Sequence, residues 1–390
     1  MIKHILKLNW NKKGANSLVI LEIFLAFLVL FAVLSFVFYN TDRLNNPLGF
    51  EVENRKYVRF GELEGRDSTE RAEIYRQLKL QLGELDLVEK VGLSHDVSPF
   101  AGSNWCHGND DNGVHIQACY SVVDHDFIEA NGMNVIEGRG FIEDDFNAPY
   151  PPIMPNKHFM DEFFPGQSMV DSLIIFQGEQ SRIVGVVEAF KYNGEFEESD
   201  NRMLLMYHPK NMNRLTNAYL KMDPSADVAY EEKISDIVEG ILKSSNFVIQ
   251  DAEALSRRAN LETWIPMIAL LSICGFLCVN VALGLFGVLS YAISKRRAEV
   301  GLRRAIGASQ GSISSQFTME IVSLAAFAVL LGTFFAIQVP LLKVLDVNQS
   351  IFYRGIIYSA LIILAIVTIC ALYPSWQASR IQPAIALHED

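Results

Sequence analysis

None of the 25 glycines in this 390-residue chain is followed by lysine. A phosphate-binding Walker loop needs Gly-Lys-Ser/Thr, because the loop amides and the lysine together cradle the nucleotide phosphates. ATP hydrolysis by that route is excluded. The helical zinc motif His-Glu-x-x-His is missing too, and with it the corresponding metalloprotease chemistry. Cysteine is scarce, at five residues, too few for a disulfide scaffold. Charge is absent over long stretches: Ile265–Ser294 carries none, and Glu320 is the only charge between Arg304 and Lys343. Such stretches exclude an ordinary soluble protein.

What is present fits a membrane. Half of the residues are hydrophobic and the mean hydropathy is +0.18. A spanning helix needs about 20 mostly apolar residues, and four segments qualify: 17–39, 265–293, 317–339 and 356–373. The first follows Lys3, Lys7, Lys12 and Lys13. Its apolar run exceeds that of a signal peptide and no Ala-x-Ala cleavage site follows, so it reads as an uncleaved anchor. The fold class is therefore a membrane α-helical protein of four transmembrane helices, with a large α+β extracytoplasmic domain inserted between helices 1 and 2.

Basic residues in short flanks set the orientation. The arm 1–16, an amphipathic segment, the loop 294–316 and the tail 374–390 are expected in the cytosol. The domain 40–264 and the short loop 340–355 are expected outside. Residues 41–263 hold 21 Lys/Arg and 39 Asp/Glu, a net of −18, while the remainder is +6. The acidic outer domain disfavours nucleic acid and favours solubility. Within it, 71–87 and 230–242 have helical apolar spacing, whereas 182–187 and 217–221 are short strand-like runs. The turn-rich stretch 101–180 reads as an inserted lobe. Pro266 predicts a break near 263–266, and 265–293 as one helix is about 43 Å long, so it tilts or projects from the bilayer.

Several groups of residues are candidates for chemistry. Lys295–Ser309 holds five basic residues against one acid, with helical apolar spacing, between two spans. It is placed to grip a cytosolic partner. Gly307-Ala-Ser-Gln-Gly311 matches the Gly-x-Ser-x-Gly elbow of serine hydrolases, but a strand should precede that elbow. A helix stop at Gly307 and a helix cap at Ser309 account for it better. Glu143-Asp144-Asp145 and Glu197-Glu198 with Asp200 read as solvated acidic loops, and no metal set is nominated. If Asn112-Gly113 forms a two-residue turn, Cys106 falls opposite Cys119. A disulfide, two free thiols and a Cys/His metal site all remain open for this pair. Cys274, Cys278 and Cys370 lie in spans as packing residues. Glu22, Asn280 and Gln338 are polar groups inside the spans, where such groups need partners. Asn280 is expected to bond another helix.

The core Arg296-Arg-Ala-Glu-Val-Gly-Leu-Arg-Arg-Ala-Ile-Gly-Ala-Ser309 resembles the signature of MacB/FtsX-type ABC transporter permeases. The ending Tyr373-Pro-Ser-Trp-Gln-Ala-Ser-Arg-Ile-Gln-Pro-Ala-Ile-Ala-Leu387 is similar to that family's C-terminus. Val123–Gly132, Gly138-Arg139, Asp144-Asp145 and Ile183–Val187 look like the MacB-like periplasmic core domain. The resemblance implies that 295–309 contains a coupling helix docked on a cytosolic ABC ATPase on a separate chain. Val300, Leu302 and Ile306 would then be apolar contacts, with Arg297, Glu299, Arg303 and Arg304 as the polar rim. It implies a multi-pass protein of the bacterial inner membrane, pairing with a second permease chain as a homo- or heterodimer. Its function would be to transmit ATP-driven motion to the periplasmic domain for export or efflux. A periplasmic adaptor and outer-membrane channel are further implied partners. No cofactor is expected on this chain, which is not an enzyme; ATP and Mg belong to the ATPase. Lipoprotein release, or regulation of a cell-wall hydrolase or signalling kinase, is the alternative.

Overall fold

The computed structural model describes residues 13–63, 65–95, 100, 105–111, 114–207, 215–227, 229–343 and 347–380. The elements run α1 (Lys13–Leu44), β1 (Arg55–Arg59), α2 (Ser68–Gly83), β2 (Val88–His95), β3 (Trp105–Asp111), β4 (Val114–Val123), α3 (Phe127–Ala130) and β5 (Val135–Gly138). Then come β6 (Pro152–Pro155), α4 (Lys157–Phe163), β7 (Leu173–Phe176), β8 (Glu179–Ile183), β9 (Gly185–Val187), β10 (Arg202–Met206), β11 (Asn217–Met222), α5 (Ala229–Leu242) and β12 (Val248–Asp251). The chain ends with α6 (Ala252–Lys295), α7 (Arg297–Ala305), α8 (Gln310–Ala336), α9 (Gln338–Leu341) and α10 (Gln349–Ser379). It divides into two compact units, Met1–Thr41 with Trp264–Asp390, and Asp42–Thr263. The amphipathic arm expected at 1–16 lies largely outside the described residues, as does most of the tail.

Among the described residues, four helical stretches are long and apolar enough to cross a membrane: Ser17–Leu44, Ala252–Lys295, Gln310–Leu341 and Gln349–Ser379. Their inward side chains, including Ile23, Phe27, Ala328, Ile363 and Val367, are buried in one cluster. Their outward ones, such as Leu25, Phe276, Leu330 and Ile369, are exposed, an arrangement suited to an apolar solvent. Small residues let the helices approach. A Cβ on Gly332 would lie 2.3 Å from the Phe27 ring, so α1 and α8 meet this closely because position 332 has no side chain. The break expected near Pro266 does not occur: α6 runs through it without interruption. Proline removes one ladder hydrogen bond there, and the turns on either side keep the rest.

In the second unit, ten strands among the described residues form one sheet, in the order β12-β1-β11-β2-β4-β10-β6-β8-β7, with β3 paired to β4. Alternation along the central strands separates two cores. Val58, Ala218 and Leu220 face one way and pack with Ile74, Leu78 and Leu82 of α2 and Ile234 and Val238 of α5. Tyr57 and Tyr219 face the other way, with ring centroids 4.8 Å apart, among Phe127, Phe190 and Tyr192. A one-residue slip would exchange the two faces, so burial on both sides fixes the register. Helix α2 starts earlier than its apolar spacing implied, because the Asp67 carboxylate caps it by accepting the Thr69 and Glu70 N–H groups, each at 2.8 Å. The run read as one strand at 182–187 is two: β8 pairs with β6 and β7, whereas β9 leaves the sheet to pair with β5.

The reading of 101–180 as an inserted lobe needs correction. β4 bonds to β10 along one edge and to β3 and β2, one after the other, along the opposite edge, so this stretch supplies strands of the main sheet. It does own a third apolar cluster, with Ile116, Phe159, Ile174, Phe176 and Ile183 at its centre. Its glycines, prolines and acids hid the strands: β6 is bounded by Pro152 and Pro155, and β3 includes Gly108 and two aspartates.

Candidate functional site

α7 begins one residue after α6 stops. The Arg296 N–H bonds the Ile293 carbonyl at 3.0 Å, closing a tight turn, and the Val300 N–H bonds the Arg296 carbonyl at 3.0 Å to start the next helix. Glu299 lies in its first turn and Arg303 and Arg304 in its last, which suits the helix dipole at both ends. The helix terminates at Gly307, where φ is +102°, a left-handed conformation open to glycine. The Ala308 N–H returns to the Arg303 carbonyl at 3.0 Å. The Ser309 hydroxyl then accepts the Ser312 N–H at 3.2 Å and caps α8. Gly307–Gly311 is therefore a helix–turn–helix joint.

At about 100° per residue, position 302 is turned roughly 200° from position 300, whereas 302 and 306 lie within about 40° of each other. The structure follows that geometry. Leu302 and Ile306 are exposed, at 52% and 78%, while Val300 is 3% exposed and packs into the cluster of the long helices. Val300 is thus not a surface contact, which corrects the assignment of all three to one docking face. Arg297 and Glu299 are exposed. Arg303 donates to Glu299 Oε1 at 2.6 Å and to Gln316 Oε1 at 2.8 Å. Arg304, half-buried, reaches the Ala308 carbonyl at 3.5 Å.

Two further residues belong here that the sequence reading did not nominate. Arg296 makes a two-pronged ion pair with Glu320 of α8, Nη1 to Oε2 at 2.9 Å and Nη2 to Oε1 at 3.2 Å. Glu320 was conspicuous as an isolated charge in an apolar run, and a lone carboxylate at that depth demands a cation.

The other candidates stand apart from α7 in sequence and in role. Glu22 is half-buried, with its carboxylate against Gly284: a Cβ there would lie 2.9 Å from Oε1. Among the described residues, Asn280 makes no bond to another helix. It is exposed and donates to the Phe276 carbonyl of its own helix at 2.9 Å, a back-bond that satisfies the amide locally. Gln338 likewise bonds the Phe334 carbonyl at 3.3 Å, beyond the end of α8. Cys106 lies opposite Cys119 in the β3–β4 register and the two sulfurs are joined as a disulfide. The register runs unbroken through Gly108 to the Asp111–Val114 pair; the turn at Asn112-Gly113 lies outside the described residues.

The acidic loops are less solvated than their composition suggests. Asp145 is 8% exposed, receives both Arg139 prongs at 2.7 Å and accepts the Ile142 N–H at 3.0 Å. Burial alone would raise its carboxyl, but the Arg139 hydrogen bonds outweigh burial and hold it below the usual carboxylate range. Glu197 is shifted upward, because burial outweighs its bonds from Asn193. Asp124, His125 and Asp126 bring ligand atoms within 4.8 Å of one another. Lys79 and Lys90 already enter that cluster, at 2.6 Å from Asp124 and 2.8 Å from Asp126 respectively. Their ammonium groups supply the positive charge that a metal would bring.

Four apolar helices, a short basic helix between the second and third, and a separate α+β unit between the first and second define a multi-pass membrane protein with an extracytoplasmic-type domain. Residues 18–237 match the MacB-like periplasmic core domain, and residues 270–383 the FtsX-like permease C-terminal domain. The chain belongs to the family of MacB/FtsX-type ABC transporter permeases. It is 24% identical over 285 residues to an uncharacterized ABC transporter permease, YvrN, of Bacillus subtilis, covering 68% of each chain. It is 22% identical over 278 residues to the macrolide export ATP-binding/permease protein MacB of Neisseria meningitidis, covering 69% of this chain. That alignment spans 43% of the MacB protein's own length. The crystal structure of the periplasmic region of MacB from Actinobacillus actinomycetemcomitans aligns with 56% of the chain, with a TM-score of 0.39 and 13% identity.

Proposed function

We propose that this chain is a permease subunit that transmits the ATP-driven motion of an ABC ATPase to its outer domain, and that it works in export. The ATPase lies outside these 390 residues, which contain no Gly-Lys pair, and it binds the ATP and Mg. The observation that carries the reading is the two-sided α7. Val300 roots the helix in the apolar cluster of the long helices, while Leu302 and Ile306 stand in solvent on the opposite side. Exposed apolar residues ringed by charge are what a docking helix requires. Arg297, Glu299, Arg303 and Arg304 form the rim. In this reading α7 faces the cytosol of a bacterial inner membrane, the Asp42–Thr263 unit faces the periplasm, and a second permease chain completes the assembly. An adaptor and an outer-membrane channel would carry the cargo onward.

The test is copurification of the ATPase from native membranes with wild-type, Leu302→Asp and Ile306→Asp chains. Each substitution buries a carboxylate in the docked interface and should reduce recovered ATPase about tenfold or more. Full recovery with both variants would remove α7 as the docking element.

A further inference from the structure

α7 meets the neighbouring helices through Val300, through the Arg303–Gln316 hydrogen bond at 2.8 Å, and through the ion pair of the adjoining Arg296 with Glu320. The geometry of that pair goes beyond neutralising an isolated carboxylate. Arg296 occupies the single residue between α6 and α7, so its position sets the angle at which one leaves the other. Its guanidinium reaches Glu320, eleven positions beyond the Ser309 cap and about 16 Å along α8 at 1.5 Å per residue. Both prongs engage, at 2.9 and 3.2 Å, and the two side chains are only 16% and 12% exposed. The guanidinium also lies over the Phe317 ring, 5.9 Å from its centroid, and Phe317 is buried in the apolar cluster. A two-pronged pair fixes orientation as well as distance.

Energy alone does not account for such a pair. A partly buried ion pair is often no more stabilising than apolar side chains of similar volume. What it offers over them is a defined relative position of three helices, α6, α7 and α8. Arg303 also crosses to α8, but through a single hydrogen bond to the neutral Gln316 amide at 2.8 Å, which holds a distance and leaves orientation free. We propose that Arg296 and Glu320 are positioning residues, a pin that makes α8 follow any displacement of α7. Push on α7 reaches the long helices through this pin, whereas Leu302 and Ile306 only hold the partner. This inference rests on the docking role of α7 proposed above.

The experiment uses the full chain in native membranes with the ATPase that copurifies with the wild type. Arg296→Gln, Glu320→Gln and the exchanged pair Arg296→Glu with Glu320→Arg are compared, with Leu302→Asp as the docking control. Two quantities are read: recovered ATPase, and ATP hydrolysis by the complex relative to the ATPase alone. The single variants should recover the ATPase normally and lose about tenfold of the stimulation, and the exchanged pair should regain most of it. Normal stimulation in both single variants overturns the pin. So does an exchanged pair no better than the single variants. Single variants that fail to accumulate, or that lose the ATPase itself, assign the pair to folding or to docking and overturn the pin as well. If Leu302→Asp also leaves recovery and stimulation intact, the docking reading fails; if only the pair variants are silent, the pin alone fails.

Discussion

The Lys191 ammonium donates to the main-chain carbonyl of Arg43, in the last turn of α1, at 2.5 Å. It also donates to the carbonyls of Asn46 and Glu195, each at 2.9 Å, and the residue is 1% exposed. Helix C-termini leave carbonyls without partners, and here one buried cation serves a helix end and two loops together. Arg43 in turn pairs with Glu198. Segment 191–198 therefore clasps the end of α1.

Replacing Lys191 by Met keeps the stem's volume and deletes three hydrogen bonds to main-chain carbonyls. The expected loss is about 1–3 kcal/mol, read as a lower melting temperature of the full chain in detergent. An unchanged melting temperature would show that the carbonyls find other partners at no cost.

The Cys106–Cys119 bond closes a loop with a sequence separation of 13. A non-reducing peptide map of protein exported to an oxidising compartment should contain the linked pair. Its removal by Cys106→Ser with Cys119→Ser should destabilise by at most about 3 kcal/mol, and by less here because the β3–β4 ladder already holds the loop ends together. Two free thiols in that map would contradict the pairing.

Asp145 has a depressed carboxyl in the folded state. A depressed carboxylate contributes stability that is present above its unfolded value, about 3.9, and is lost as pH falls through the folded one. Arg139→Gln removes the partner, so the carboxylate is left desolvated and unpaired at neutral pH. The melting-temperature gap between wild type and variant should be widest near pH 7 and should close as the pH falls below about 4. A gap independent of pH would mean that Arg139 acts through packing alone.

Thiol labelling in intact cells tests the orientation. Ile306→Cys, on the exposed side of α7, should react only with a membrane-permeant reagent. Leu80→Cys, exposed on α2, should react with an impermeant one. The reverse pattern would invert the assignment of faces.

The four long helices and the short basic one were legible because each rests on a local signal: apolar length, absence of charge, or helical spacing. The facing of α7 was equally legible in principle, since Val300 and Leu302 cannot share a side of a helix. Counting both as contacts treated apolar composition as if it were a surface. The Arg296–Glu320 pair depends on a contact 24 residues apart, and only the isolation of Glu320 hinted at it. In the outer unit, the runs 182–187 and 217–221 showed as strands, and β9 and β11 within them are buried on both faces. β3 and β6 did not, because their place is secured by neighbours in the sheet: β4 for one, β10 and β8 for the other. The Lys191 clasp has no sequence signature, since a lysine's burial is decided by which carbonyls the fold brings around it.

The rooting of α7 through one buried valine divides its residues into those that answer to the fold and those that do not. Substitutions at solvent-facing positions such as Arg297, Leu302 and Ile306 change stability by about half a kcal/mol or less. A different partner could therefore be accommodated by rewriting a handful of side chains, with no repair needed in the helices beneath. Position 300 has no such freedom, and divergence among related permeases should skip it while accumulating one turn away.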